Sequence, residues 1–224
     1  MIKACIFDLD GTLLNTLPAL SYCTNAVIRQ YGLGEIPMEM FKVFVGDGYY
    51  NQMRRALNYL NDPDFDAHYE ETCRNYIEFF AKNSSYGVKP YEAIPELLAE
   101  LKEREIKITC FSNKPHLQAV DNINSFFGEG YFDDILGQID GKPKKPDPYG
   151  ALKLASKLGC QPEECLYIGD TNTDMKTGIA AGMPTIGVLW GFRGYEELAS
   201  FEPYKIIENP LELLTVIDEI NQNS

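Results

Sequence analysis

From about residue 86 onward, short apolar runs alternate with stretches whose apolar positions recur at helical spacing. Ile94, Leu97, Leu98 and Leu101 stand at i, i+3, i+4 and i+7, one face of a helix, and an apolar run at 106–111 follows as a strand. Ala151, Leu154, Ala155 and Leu158 repeat that spacing, and another strand follows at 165–168. Asp147 and Pro148 suit the N-cap and first position of this second helix. Asn209, Pro210 and Glu212 open the last helix, which is expected to bury Leu213, Val216, Ile217 and Ile220. With a first strand at 4–7, the alternation predicts a parallel sheet covered by helices.

Residues 17–82 follow a different pattern. Helical periodicity runs over 17–31, 38–44, 49–60 and 65–82 without convincing strands, broken at Gly32, Gly34, Pro37, Gly46, Gly48 and Pro63. An all-helical block placed just after the first strand of an alternating domain is most simply an insertion. The predicted class is therefore α/β: a Rossmann-like parallel sheet core flanked by helices, with an inserted all-helical cap domain after the first strand. The core takes 1–14 and 86–224 and the helical cap domain 15–85, with hinges at 11–16 and 84–87.

Four polar segments stand out, three of them directly after a predicted strand, where ligands of an open parallel sheet collect. Asp8-Leu9-Asp10-Gly11-Thr12-Leu13 sets two carboxylates two residues apart, a pattern that suits a shared site and equally a turn capped by aspartates. Phe111-Ser112-Asn113-Lys114 offers a hydroxyl and main-chain N–H groups to phosphate oxygens, although Ser-Asn also marks ordinary turns. Lys145-Pro146-Asp147-Pro148 presents one cation, with Lys142 and Lys144 beside it as reminders that a surface lysine reads the same way. Gly169-Asp170-Thr171-Asn172-Thr173-Asp174 places two carboxylates four residues apart, which fits a pair facing one site or an N-cap with a charge complementing the helix dipole.

Composition narrows the partners. The net charge of -13 argues against a nucleic-acid partner, which needs clustered Lys and Arg. It leaves room for a small anion, because a bound metal and one lysine reverse the potential locally. No apolar run approaches the ~20 residues that span a bilayer, and nothing near Met1 resembles a signal peptide, so no membrane association and a cytoplasmic location are expected. Cys5, Cys23, Cys73, Cys110, Cys160 and Cys165 are scattered without a CxxC, and His68 and His116 are the only histidines. Buried reduced thiols are expected and a zinc site is not.

The four segments together, in this order, resemble the haloacid dehalogenase superfamily in its phosphatase branch: DxDGTL, a serine at the second strand end, Lys-Pro-Asp-Pro and Gly-Asp-xxx-Asp. Val45-Gly46-Asp47-Gly48 and Trp190-Gly191-Phe192-Arg193-Gly194 are similar to the phosphoglycolate phosphatase subgroup. The resemblance implies a catalytic core built from the alternating part of the chain. It implies Mg2+ held by the Asp8 carboxylate, the Asp10 carbonyl and Asp170, with Asp174 close or acting through water. Lys145, Ser112 and the Asn113 N–H would bind phosphate. Asp8 would be the nucleophile and Asp10, kept protonated at first by its anionic surroundings, the general acid and then base. An acid at position 10 separates phosphatases from dehalogenases of this superfamily. The family commonly has Asp-Ser or Asp-Thr where this chain has Asn15-Thr16, a loss of charge at the hinge rather than in the chemistry.

The expected substrate is a small phosphorylated metabolite, 2-phosphoglycolate first and other sugar or nucleoside phosphates after it, acted on by a monomer or homodimer. A sugar phosphomutase shares the whole core and stays open. Tyr49, the pair Arg54-Arg55, the loop at 46–48 and Arg193 are the candidate readers of the leaving group.

Overall fold

A computed structural model describes residues 1–222. The chain forms two compact units: 1–15 together with the chain from Pro90 onward, and Thr16–Lys89.

In chain order, the first unit starts with strand β1 (Ala4–Phe7) and the two-residue strand β2 (Leu14–Asn15). The second unit is helical: α1 (Leu17–Ile28), α2 (Phe41–Phe44), α3 (Tyr49–Tyr59) and α4 (Phe65–Asn83). The chain then returns through β3 (Lys89–Pro90) to α5 (Ile94–Glu103), β4 (Lys107–Pro115), α6 (His116–Phe127) and β5 (Asp134–Gln138). It closes with α7 (Tyr149–Leu158), β6 (Cys165–Gly169), α8 (Asn172–Ala180), β7 (Thr185–Val188), α9 (Tyr195–Ala199), β8 (Lys205–Ile207) and α10 (Glu212–Gln222).

The sheet is six-stranded, in the order β5-β4-β1-β6-β7-β8, and every pairing is parallel. β1 lies in the middle, with all four residues buried, which is why its sequence is a continuous apolar run rather than an alternation. Helices cover the sheet with the faces their periodicity implied: Ile94, Leu97, Leu98 and Leu101 of α5 and Ala151, Leu154 and Ala155 of α7 are all buried. Gly150 lets α7 settle onto β4, since a Cβ there would overlap the Phe111 ring. All six cysteines are buried free thiols.

Register fixes the site. Phe7 pairs with Cys110 on one side and with Ile168 on the other. Asp8, just past the end of β1, therefore lies beside the stretch of β4 that follows Cys110 and beside the end of β6, at the point where the chain order reverses across β1.

Two local expectations need correcting. The segment Ser112–Lys114, expected just past the end of a strand, lies inside β4, which continues through Pro115. Its register against β5 shifts between Phe111 and Pro115, so an irregular stretch of β4 opposes a shorter stretch of β5 and bends out of the regular ladder. The helix after Lys145 begins at Tyr149 rather than Pro148, because Asp147 uses its side chain to accept the Tyr149 N–H at 2.9 Å and Pro148 takes the cap position.

The helical unit has its own core. Val27, Phe41, Phe44, Met53, Leu57, Tyr76 and Phe80 are buried in it. Buried Asn25 pins the stretch before α2 by bonding both main-chain groups of Ile36, each at 2.9 Å. Among the described residues no helix is long and apolar enough to cross a membrane.

Candidate active site

The turn after β1 is tight: the Leu13 and Leu14 N–H groups both return to the Leu9 carbonyl, and the Gly11 N–H donates to Leu14 at 2.9 Å. Leu9, between the two aspartates, is fully buried. Asp8 itself is buried and Asp10 is the more open of the two.

Lys145 is the electrostatic centre. Its ammonium lies 2.6 Å from Asp8 and 2.7 Å from Asp174, with 2% of its side chain exposed. Burial alone would lower its pKa, but Asp174 and Asp8, aided by Tyr167, hold it well above the ordinary lysine range. Its main chain is fixed as firmly as its head: Asn113 accepts the Lys145 N–H at 2.9 Å and donates to the Lys145 carbonyl at 3.1 Å.

Asp174 is fully engaged. One oxygen takes Lys145 and, at 3.4 Å, the Tyr167 hydroxyl; the other takes the Thr171 N–H at 3.1 Å and its hydroxyl at 2.6 Å. Thr171 is the N-cap of α8 and Asp174 its third residue, a reciprocal capping box. The N-cap reading raised for Asp170 thus belongs to the next residue. That shift leaves Asp170 to face the site.

Asp170 sits in a narrow cradle. Its oxygens accept the Thr12 hydroxyl at 3.2 Å and the Phe192 N–H at 2.7 Å, and the Trp190 indole N–H ties the same turn at the Thr12 carbonyl, 3.0 Å away. A Cβ at Gly11, where φ is +95°, or at Gly191 would overlap Asp170, so glycine is required at both. Burial, then Asp174, push Asp170 up to about 7, against the Phe192 N–H, Arg193 and Lys145. Burial, then Asp174, also raise Asp8 well above the carboxylate range, with Asp170 and Asp10 adding to it and Lys145 opposing.

Ser112 is buried, and its Oγ accepts the Lys114 N–H at 3.1 Å. Lys114 had been given no role, yet its ammonium lies 2.9 Å from Asp10. A cation therefore stands where only anionic surroundings had been expected. The sequence signal was a lysine two residues beyond Ser112, within the segment expected at a strand end.

Four aspartates and two lysines meet here; fully ionised, the carboxylates outnumber the ammonium groups by two. One ligand oxygen from each of Asp8, Asp170 and Asp174 lies within 4.8 Å of the others. Hard oxygen donors with surplus negative charge fit a divalent cation such as Mg2+ or Ca2+.

The haloacid dehalogenase-like hydrolase family profile matches residues 5–188, which takes in every residue of this cluster. The chain belongs to that family. It is 30% identical over 217 residues to the phosphoglycolate phosphatase of Aquifex aeolicus, covering 97% of each chain. It is 28% identical over 223 residues to the phosphoglycolate phosphatase of Neisseria gonorrhoeae, covering 99% of this chain and 93% of that one. A haloacid dehalogenase-like family hydrolase of Streptococcus pneumoniae superposes with a TM-score of 0.85 at 23% identity, over 96% of this chain and 98% of that one, and shares the fold.

The candidate readers of the leaving group fare differently within their own units. Arg55 is tied up: it grips Asp47 with two bonds of 2.6 Å and donates to the Phe44 carbonyl at 2.8 Å, which fixes the 46–48 loop. Arg54 lies over the Tyr69 ring, 5.3 Å from its centre. Arg193 pairs with Glu197 at 3.2 Å while contributing to the field at Asp170.

Proposed function

We propose that this family member is a Mg2+-dependent phosphatase of small phosphate monoesters, 2-phosphoglycolate first among them, working through an aspartyl phosphate on Asp8. The observation that carries the proposal is the convergence of Asp8, Lys145, Asp170 and Asp174 at the carboxyl ends of the central strands, with Asp10 one turn beyond.

The electrostatic problem is that a carboxylate must approach a phosphate dianion. Two unit charges ~4 Å apart repel by about 4 kcal/mol at an effective dielectric near 20, close to a thousandfold in rate. Bound at this site, Mg2+ would supply the positive charge that offsets this repulsion. Asp8, the Asp10 carbonyl and Asp170 would hold it. Asp174 would lie close to it or act through water, while one of its oxygens fixes Lys145.

Lys145 holds the Asp8 carboxylate in place for attack on phosphorus, while the Ser112 hydroxyl and the Asn113 N–H receive phosphoryl oxygens. A bond forms from Asp8 to phosphorus as the ester P–O bond breaks, and Asp10 gives its proton to the departing alkoxide. Asp10 then takes a proton from water as the water oxygen bonds to phosphorus. The bond between Asp8 and phosphorus breaks, inorganic phosphate leaves, and both aspartates return to their starting states. The helical unit Thr16–Lys89, the proposed cap, selects the leaving group; with Arg55 held by Asp47, Tyr49 and Arg54 are the candidates left in that unit.

The test is phosphate release from a panel of phosphorylated metabolites with Mg2+ present. The account expects 2-phosphoglycolate to lead the panel; transfer to a second sugar with no free phosphate would overturn it in favour of a mutase.

A further inference from the structure

We infer that Lys114 is a positioning residue for acid catalysis: it holds one oxygen of Asp10 so that the other delivers the proton to the leaving group. The inference rests on the reading of Asp10 as the general acid.

Lys114 Nζ and Asp10 Oδ1 are 2.9 Å apart, the distance of a charge-assisted hydrogen bond. The lysine side chain is only 1% exposed, whereas Asp10 is 19% exposed. A buried lysine bonded to a more open aspartate is placed to act as the fixed partner. Its main chain is constrained on both sides. The Lys114 N–H donates to Ser112 Oγ at 3.1 Å, and Gly137 of β5 packs so closely that a Cβ there would come within 2.7 Å of the Lys114 carbonyl oxygen. The irregular stretch of β4 brings Lys114 to this position. The two site lysines thus divide the work: Lys145 orients the nucleophile and Lys114 the proton donor.

Holding Oδ1 does two things. It stops the Asp10 side chain from rotating away, and it reserves Oδ2 for the transferable proton. In the first step that proton passes from Oδ2 to the leaving alkoxide as the P–O bond breaks, and no proton leaves Lys114.

Acid catalysis matters most when the leaving group is basic, which gives a readout that a merely structural role would not move. The parameter is kcat/KM, because it reports transfer to Asp8, the step in which the leaving oxygen departs. Lys114→Met is compared with the native chain on 2-phosphoglycolate and on an aryl phosphate such as p-nitrophenyl phosphate, whose leaving group needs little help. The expected result is a loss at least about 30-fold greater on the alkyl ester, a part of the roughly 100- to 10,000-fold that acid catalysis contributes. Lys114→Arg should recover part of that selectivity. The ratio of the two substrates on one preparation is independent of the folded fraction; if Lys114→Met yields no folded protein, Lys114→Gln is measured in its place. Equal losses on both substrates, or none, would overturn the inference. Asp10→Asn is run alongside. If it shows the leaving-group dependence while Lys114 variants do not, only the role of Lys114 falls; if Asp10→Asn shows none, the assignment of Asp10 falls as well.

Discussion

Asp170 is held by the Thr12 hydroxyl, the Phe192 N–H and two glycines that leave no room for a Cβ, so its position depends on residues far apart in sequence. Gly191→Ala should force the carboxylate aside and raise the Mg2+ concentration for half-maximal activity by about tenfold or more, roughly the effect of disturbing groups that orient a metal ligand. Titrating activity with Mg2+ checks this; an unchanged requirement would count against Asp170 as a ligand. A second prediction concerns pH. With its value raised to about 7, Asp170 keeps a proton in the native state that the unfolded chain has lost above about pH 4. The resulting stabilisation is complete at low pH and disappears as pH rises through about 7. In EDTA, Asp170→Asn should therefore gain stability relative to the native chain between about pH 5 and about pH 8, on the order of a few kcal/mol. Urea midpoints measure it, and a gap independent of pH would refute the assigned shift. Asp8, Asp10, Lys145, Asp170 and Asp174 were legible because each stands beside a strong strand or proline signal. Thr12 and the Phe192 N–H were not, since a hydroxyl and a main-chain amide carry no sequence signal until tertiary structure points them at a carboxylate.

At the scale of elements, β1 and β6 could be read because strands buried on both faces are continuous apolar runs. β5 and β8 had no such signature: β5 is only partly buried, β8 has three residues, and both are edge strands. β7, though buried, is four residues long and carries Gly187, which weakens any strand pattern. The start of α10 was legible only in part: the Asn209 N–H donates to Glu212 at 2.7 Å as expected, but the Asn209 side chain accepts the Leu211 N–H at 2.9 Å and the helix begins at Glu212, not at Pro210. Ile220, expected in its buried face, is only partly covered. The seat of α7 on β4 gives a test at this scale. Gly150→Ala adds up to about 1 kcal/mol of helix propensity but drives a methyl into the Phe111 ring. Overpacking costs about 1–3 kcal/mol, so the variant should be less stable by urea denaturation; a stabilised variant would show that α7 shifts freely.

At the scale of the molecule, a protein of net charge -13 gathers four carboxyl groups and only two ammonium groups at the site where it is to receive an anion. That arrangement is productive only with a cation bound. EDTA should abolish turnover and added Mg2+ restore it. The helical unit follows from the break in periodicity after the first strand, but no pattern in 17–82 assigns a function to any of its side chains. The whole account turns on Asp8 as the atom donor to phosphorus. Its most direct test is a crystal structure with Mg2+ and beryllium fluoride, a mimic of the phosphoryl group. The mimic should be bonded to an Asp8 carboxylate oxygen, with Lys145 and Ser112 against its fluorides; a mimic bonded to any other residue would contradict the account.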